Sequence, residues 1–423
     1  MLVVIATLGV CSALYAGKDW PGWRGPTGMG VSDERDLPVA WGGSDDKNVL
    51  WKAPLFEHFD KIKLDQNQSS PIVRGDRVLV TTSYWPVGVE TSQFPEHHVT
   101  CFHAATGQRL WDKTVAPGPW LLKDLRGGYT APTPAADDSR VFVLFGSSVL
   151  AALDLTDGSL LWRKEITPHH FDVAIGNSPV IHKGTVLLVC DQLRGKKSST
   201  LLAFDAKSGE LRWEKKRDHA DWTHSTPALA EIEGKTQLLV AGDKALEGLD
   251  PVSGDILWRF TTSDRIGDTV TPLYANGLVY IDSGRGGPAV AVDPTGRGDV
   301  TKTHLKWNLV RIPDGFSSPV SSGPFLLRLH SPETIKCIEW KSGRIVWSER
   351  LQGMSTAASP FVTPEGRVYC ASAGVSYVIQ PGEKCAVLAV NDLKDGSQAS
   401  PAVADGRIFL KGRRYLHCVG KRP

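Results

Sequence analysis

Short runs of β-branched and aromatic residues, such as Val141-Phe142-Val143-Leu144, recur along the chain between turns rich in Gly and Asp. Such runs read as strands. They recur in a fixed order. Ser-Pro or Thr-Pro, followed by two mostly apolar residues, occurs at Ser70, Thr133, Ser178, Thr226, Thr271, Ser318, Ser359 and Ser400. Proline suits a strand start, where its missing N–H breaks no ladder bond. A second strand follows. A third ends in a small-apolar-acidic triplet, as in Ala152-Leu153-Asp154 or Ala203-Phe204-Asp205. A Gly turn then leads to a fourth strand containing Trp: Trp111, Trp162, Trp213, Trp258, Trp307 and Trp347. The fifth copy stretches the turn from Pro294 to Leu305. The seventh has no Trp, and Val387-Leu388-Ala389-Val390 takes the strand.

Most motif spacings are 41 to 48 residues, the first 63. A period in the forties is the length of a four-stranded propeller blade. A lone four-stranded sheet cannot bury both faces, so the copies must stack. The expected fold is an all-β, eight-bladed β-propeller of four-stranded antiparallel blades, with blades starting near 69, 132, 177, 225, 270, 317, 358 and 399. The eighth copy stops after Cys418-Val419-Gly420 without a fourth strand, whereas Val49-Leu50-Trp51 reads like Leu160-Leu161-Trp162. Residues 47–55 are therefore expected to complete blade 8 and close the ring, leaving no open edge. The Trp column, with Trp51 included, reads as structural docking between blades. The small residue opposite each Trp is expected to make room for its ring.

Residues 2–16 are apolar and uncharged, too short for a span of about 20 residues. They read as a signal peptide cut after Ala16, leaving 17–423 as one exported domain, periplasmic or associated with the cell envelope. Leu8-Gly9-Val10-Cys11 is a poor lipobox because Val10 is bulky, so no lipid anchor is expected. No later apolar run is long enough to cross a membrane. The net charge of +2 gives no case for nucleic acid. Six cysteines remain after the signal peptide, sparse and inside strand patterns, and read as small buried side chains.

The small-x-Asp-x-x-x-Gly-x-x-x-Trp spacing of Ala152 to Trp162 and Ala203 to Trp213 resembles the docking repeat of PQQ-type propellers. The chain is similar to exported PQQ-like repeat proteins of planctomycete-type bacteria. That likeness rests on Asp19-Trp20-Pro21-Gly22-Trp23-Arg24-Gly25-Pro26, Ser283-Gly284-Arg285-Gly286-Gly287 and Gly296-Arg297-Gly298-Asp299. At the level of fold it also resembles the propeller lipoprotein of the outer-membrane β-barrel assembly machinery. Fold alone transfers no function. The resemblance brings the quinone PQQ into view. Quinoprotein dehydrogenases cover PQQ with a ring of adjacent cysteines and place calcium beside it, and this chain has no adjacent cysteines. No cofactor and no metal site are expected.

No catalytic constellation emerges. Gly195-Lys196-Lys197-Ser198 lacks the upstream glycine of a phosphate loop. His97-His98 and His169-His170 are neighbours on extended chain, so their rings face opposite sides and chelate poorly. The expectation is a non-catalytic, monomeric binding or scaffolding propeller whose partner is a protein, a peptide or a carbohydrate. A quinoprotein-type dehydrogenase or other small-molecule enzyme is the alternative. The connecting loops Tyr84 to His98, Val115 to Thr130, Lys164 to Asn177 and Glu214 to His224 are the longest. With the leader they offer a candidate ligand face of Trp23, Arg24, Arg126, Tyr129, Trp222, His224 and Arg285. Aromatic residues with arginine compose many binding surfaces. The favoured alternative is that the leader and loops simply plug the ring and pack against it.

Overall fold

The computed structural model describes residues 19–168, 173–193, 195 and 198–422. The proposed signal peptide and the His169-His170 pair lie outside these residues, as do Lys196 and Lys197. The described residues form eight sheets, six of four strands and two of five. In blades 1 to 7 the four body strands pair antiparallel in chain order, and inner strands of successive blades approach one another around an axis. Closure follows the expected route. Val49–Pro54 pairs antiparallel with Tyr415–Gly420, with Trp51 opposite Cys418, as the outer strand of blade 8.

The Ser/Thr-Pro motifs do more than start strands. The hydroxyls of Thr133, Ser178 and Thr226 each accept the backbone N–H of the preceding motif's Ser or Thr. Ser318, Ser359, Ser400 and Ser70 do the same. These bonds, 2.8 to 3.0 Å long, form a belt around the channel and cross the closure from Ser400 to Ser70. The remaining hydroxyl, that of Thr271, accepts the indole N–H of Trp23 at 2.9 Å.

The docking tryptophans reach across blade boundaries. Trp51, Trp111, Trp162, Trp213 and Trp307 lie over Gly107, Gly158, Gly209, Gly254 and Gly343, each in the turn of the next blade. A Cβ on any of these glycines would fall 2.6 to 2.8 Å from the ring, and each has φ between +70° and +74°. Glycine is required there on both counts. Each indole N–H donates to a carbonyl of that same neighbouring turn. Trp347 likewise donates to Gly382 of blade 7. For the first five, the room for the ring is thus made by the glycine one blade on, rather than by the small residue opposite.

Trp258 departs from the column. It folds over Gly248 of its own blade and donates to Gln237 Oε1 at 2.8 Å. The stretched turn of blade 5 explains this. Its Gly298–Asp299 runs parallel to Ile256–Thr261 as a fifth strand of blade 4 and covers Trp258. Blade 7 lacks a Trp for a related reason. Blade 8 is closed by two different ends of the chain, so it has no turn between its third and fourth strands for a ring to sit on. The leader supplies Trp41 instead. Trp41 is buried, stacks on Tyr369 at 6.4 Å and 9°, and donates its backbone N–H to Asn391 Oδ1 of blade 7.

Buried charges stitch two seams. Arg328 of blade 6 donates to both oxygens of Asp282 in blade 5, at 2.7 and 3.1 Å, and both side chains are fully buried. Lys411 of blade 8 donates to Ser69 Oγ and the Thr81 carbonyl of blade 1. Burial holds its ammonium down at about 7.

The first blade differs from expectation in one respect. Tyr84 and His97-His98 belong to strands, because Arg77–Pro86 and Glu96–His103 pair far beyond the blade body, to Tyr84 opposite Glu96. Trp85, Leu122, Tyr129 and Ala174 form a small core under this arm and give it apolar surface to bury.

Candidate functional site

The leader crosses one end of the channel from blade to blade. Trp20 bridges Val73 of blade 1, and the Pro21 carbonyl accepts Ala136 N–H of blade 2. The Thr27 carbonyl accepts Leu229 N–H of blade 4, and Ser32 N–H donates to Val362 of blade 7. The Glu34 carboxylate accepts two backbone N–H groups of blade 8. Arg24 is part of this plug. It is buried and donates to the carbonyls of Gly28, Met29 and Pro319. Burial, with Arg328 nearby, lowers it to about 9.

Trp23 points the other way, up the channel to Thr271. It borders a cavity of about 280 Å³ beside the leader and a second of about 340 Å³ at the opposite mouth. The indole is therefore the partition between them. The mouth cavity has a simple origin in the sequence. Gln68, Ala131, Gly176, His224, Thr269, Phe316, Ala357 and Gln398 all line it. Each stands two residues before a Ser/Thr-Pro motif, one from every blade. The belt fixes the backbone at these eight points, and the side chains before it converge on the axis. The repeat thus carries a position whose place is constant and whose identity varies.

Of the seven candidate face residues, Trp23, Arg126, His224 and Arg285 line this one cavity. Arg285 lies over the Trp222 ring at 5.2 Å and over Phe316 at 5.8 Å. Arg265 covers Trp222 at 4.5 Å and is itself paired with Asp221 and Asp268. Trp222 is thus a support clamped between two guanidinium groups, a geometry that favours cation–π attraction. Asp268 is raised by burial, against the pull of Arg265 and Arg285. Arg126 pairs with Asp124, and its carbonyl accepts the Gln68 amide at 3.0 Å. Arg24 and Tyr129 are elsewhere. Tyr129 is fully buried under the arm of blade 1, accepts Leu122 N–H at 2.9 Å and donates its own N–H to Asp65.

The other titratable clusters are committed to structure. Arg217 bridges Asp191 at 3.0 Å and Glu247 at 2.9 Å, all three buried. Burial lifts Asp191 to about 6. Glu247 is held at about 2, because Arg217, His219 and Arg259 outweigh its burial. His97 is kept neutral by burial, near 3, while His98 lies between Glu96 and Asp112 on the other side of the strand. Among the described residues no group of three His, Cys, Asp or Glu could hold a metal, and the six described cysteines are unpaired.

Fold and mouth together define a tryptophan-docked, eight-bladed propeller with one end plugged by its leader. A family model described as outer membrane protein assembly factor BamB matches residues 95–349, and the chain belongs to that family. It is 22% identical over 273 residues to the outer membrane protein assembly factor BamB of Moranella endobia (strain PCIT), covering 63% of this chain and 62% of that protein. It is 27% identical over 199 residues to quinohemoprotein alcohol dehydrogenase ADH-IIG of Pseudomonas putida, covering 41% and 27%. The chain thus spans less than two thirds of the length of these curated relatives. BamB from Moraxella catarrhalis superposes with a TM-score of 0.58 at 16% identity, over 88% of this chain and 98% of that one. A europium-containing methanol dehydrogenase does so at 0.57 and 11%, over 95% and 91%. At such identities the likeness is one of fold. Among the described residues no helix is long and apolar enough to cross a membrane.

Proposed function

We propose that this chain is a non-catalytic binding propeller of the cell envelope, outside the cytoplasm, and that its axial mouth holds a segment of a partner protein. The observation that carries this reading is the column before the Ser/Thr-Pro motifs. Six residue types occupy eight equivalent positions around one cavity. A position under packing constraint alone would repeat, as the docking Trp does. Trp23 and Phe316 offer apolar faces, and Gln68, Gln398, His224 and Thr269 offer hydrogen bonds. That mixture suits a peptide segment. The relatives named as outer membrane protein assembly factors agree with a partner of this kind.

The dehydrogenase alternative asks for a quinone with a calcium ion. Among the described residues the mouth is lined by no carboxylate, and the chain has no adjacent cysteines to cover a stacked ring. The residues present do not fit that pair, so no cofactor belongs to this proposal and no step is derived through one.

Ala357→Trp fills the mouth from a half-buried position. We expect it to keep the parent's melting temperature and to lose a polypeptide that the parent captures from native envelopes. Equal capture by both proteins contradicts the reading. So does dye-linked alcohol oxidation by the parent once PQQ and calcium are supplied.

A further inference from the structure

The seam between blades 7 and 8 opens into a third cavity, about 570 Å³, on the face where the blade connectors gather. Four cationic side chains line it: Lys52 from the closing strand, Lys394 from the connector into blade 8, and Arg413 and Arg414 from the next turn. None of the four makes an ion pair among the described residues. Among the described residues Asp395 is the only carboxylate in the lining, and it is already engaged. It accepts the backbone N–H groups of Arg414 and Tyr415 and pairs with His417 Nε2 at 2.9 Å. His417 is itself 4% exposed, and its Nδ1 is buried with no hydrogen-bond partner. Aromatic rings hold two of the cations in place. Arg414 lies 4.5 Å from the centre of Phe59 and Lys52 lies 5.5 Å from that of Tyr415.

Four like charges around one cavity repel one another unless an anion enters. Guanidinium groups present paired donors that match a tetrahedral oxyanion, and ammonium groups add point charge. Leu393 and Phe59 give an apolar flank beside them. We propose that this cavity is a binding site for a phosphate monoester, separate from the axial mouth. The phosphate could be a lipid headgroup or a soluble ester, since both present the same oxygens.

The test is a calorimetric titration of the full chain with glycerol 3-phosphate. Arg413 and Lys394 are exposed, so Arg413→Glu and Lys394→Glu should fold as the parent does, which equal melting temperatures would verify. One charge-assisted contact is worth about a factor of ten or more in affinity. Each reversal should therefore raise the dissociation constant by about tenfold, and added salt should weaken binding by the parent. Arg297→Glu, at an exposed position just before the added strand of blade 4, should leave it unchanged. Sedimentation with vesicles containing phosphatidic acid, whose headgroup is a phosphate monoester, lost in Arg413→Glu, would assign the headgroup source. Binding of the soluble ester without vesicle binding would assign the soluble one. Both results support the site. No saturable binding by the parent, or equal binding by parent and reversals, overturns it.

Discussion

Deleting residues 399–423 should yield a chain that does not reach the native fold. The deletion removes three strands of blade 8 and leaves Val49–Pro54 with no sheet to join. The apolar side of that strand and the docking ring of Trp51 would face water. The faces of blades 1 and 7 that pack on blade 8 would be uncovered, and Val49–Pro54 would be left without a ladder partner, an open strand of the kind that templates association. The belt would also lose its links from Ser359 to Ser400 and from Ser400 to Ser70, and blade 1 would lose the bonds from Lys411. Blades bury their faces only against neighbours, so the loss is felt around the ring. The expected result is insoluble protein, or an expanded species without a near-ultraviolet circular dichroism signal. A point change at the same junction is milder. Trp51→Ala removes the ring over Gly107 but keeps the strand, and should cost about 3–5 kcal/mol. A truncated chain that is monodisperse and melts with the parent would show that closure does not hold the ring.

Arg328→Met should be the most damaging single substitution in the seams. The guanidinium meets both Asp282 oxygens and the carbonyls of Gly315, Ser317 and Leu329, with no exposure of either partner. Removing it strands a buried carboxylate that keeps only the Tyr280 hydroxyl and the Gly284 N–H. Breaking a buried pair in this way costs about 3–5 kcal/mol. Urea unfolding should show the midpoint falling at an unchanged slope. Arg328→Met with Asp282→Asn should recover part of the loss, because no charge is then left unpaired. A single variant within about 1 kcal/mol of the parent would contradict this account.

The ring was legible because it is written eight times. Strand order, blade boundaries and the closing role of Trp51 all follow from comparing one copy with another. What the sequence hid was contact between copies. The Ser and Thr of each motif read as strand starts, since nothing local says that each hydroxyl takes the N–H of the motif before it. Trp162 pairs in register with Ala152, which made the small residue look like its seat. Its ring rests on Gly209, a position fixed only by how blades stack. Trp41 stands in no repeat and gave no signal, yet it fills the seam where the closing blade has no turn.

The candidate face was read from composition, and composition cannot separate an arginine that plugs from one that lines. Arg24 and Tyr129 are held by buried carbonyl, N–H and carboxylate partners brought in by the fold. Arg285 shares the mouth with Trp23 because both face the axis. The mouth itself had a sequence signal that motif reading passes over. It is the residue two places before each Ser/Thr-Pro pair, which is notable for failing to repeat. The cationic seam cavity left no mark in a net charge of +2, because its four cations come from three distant stretches of chain.

Whether the mouth is where the partner sits can be read directly by site-specific crosslinking in the native envelope. A photoreactive amino acid at position 357 lies at the mouth, and one at position 183 lies beside the leader cavity at the other end. The account predicts a discrete adduct with one polypeptide from position 357 and none from position 183. An adduct from 183 alone would contradict it.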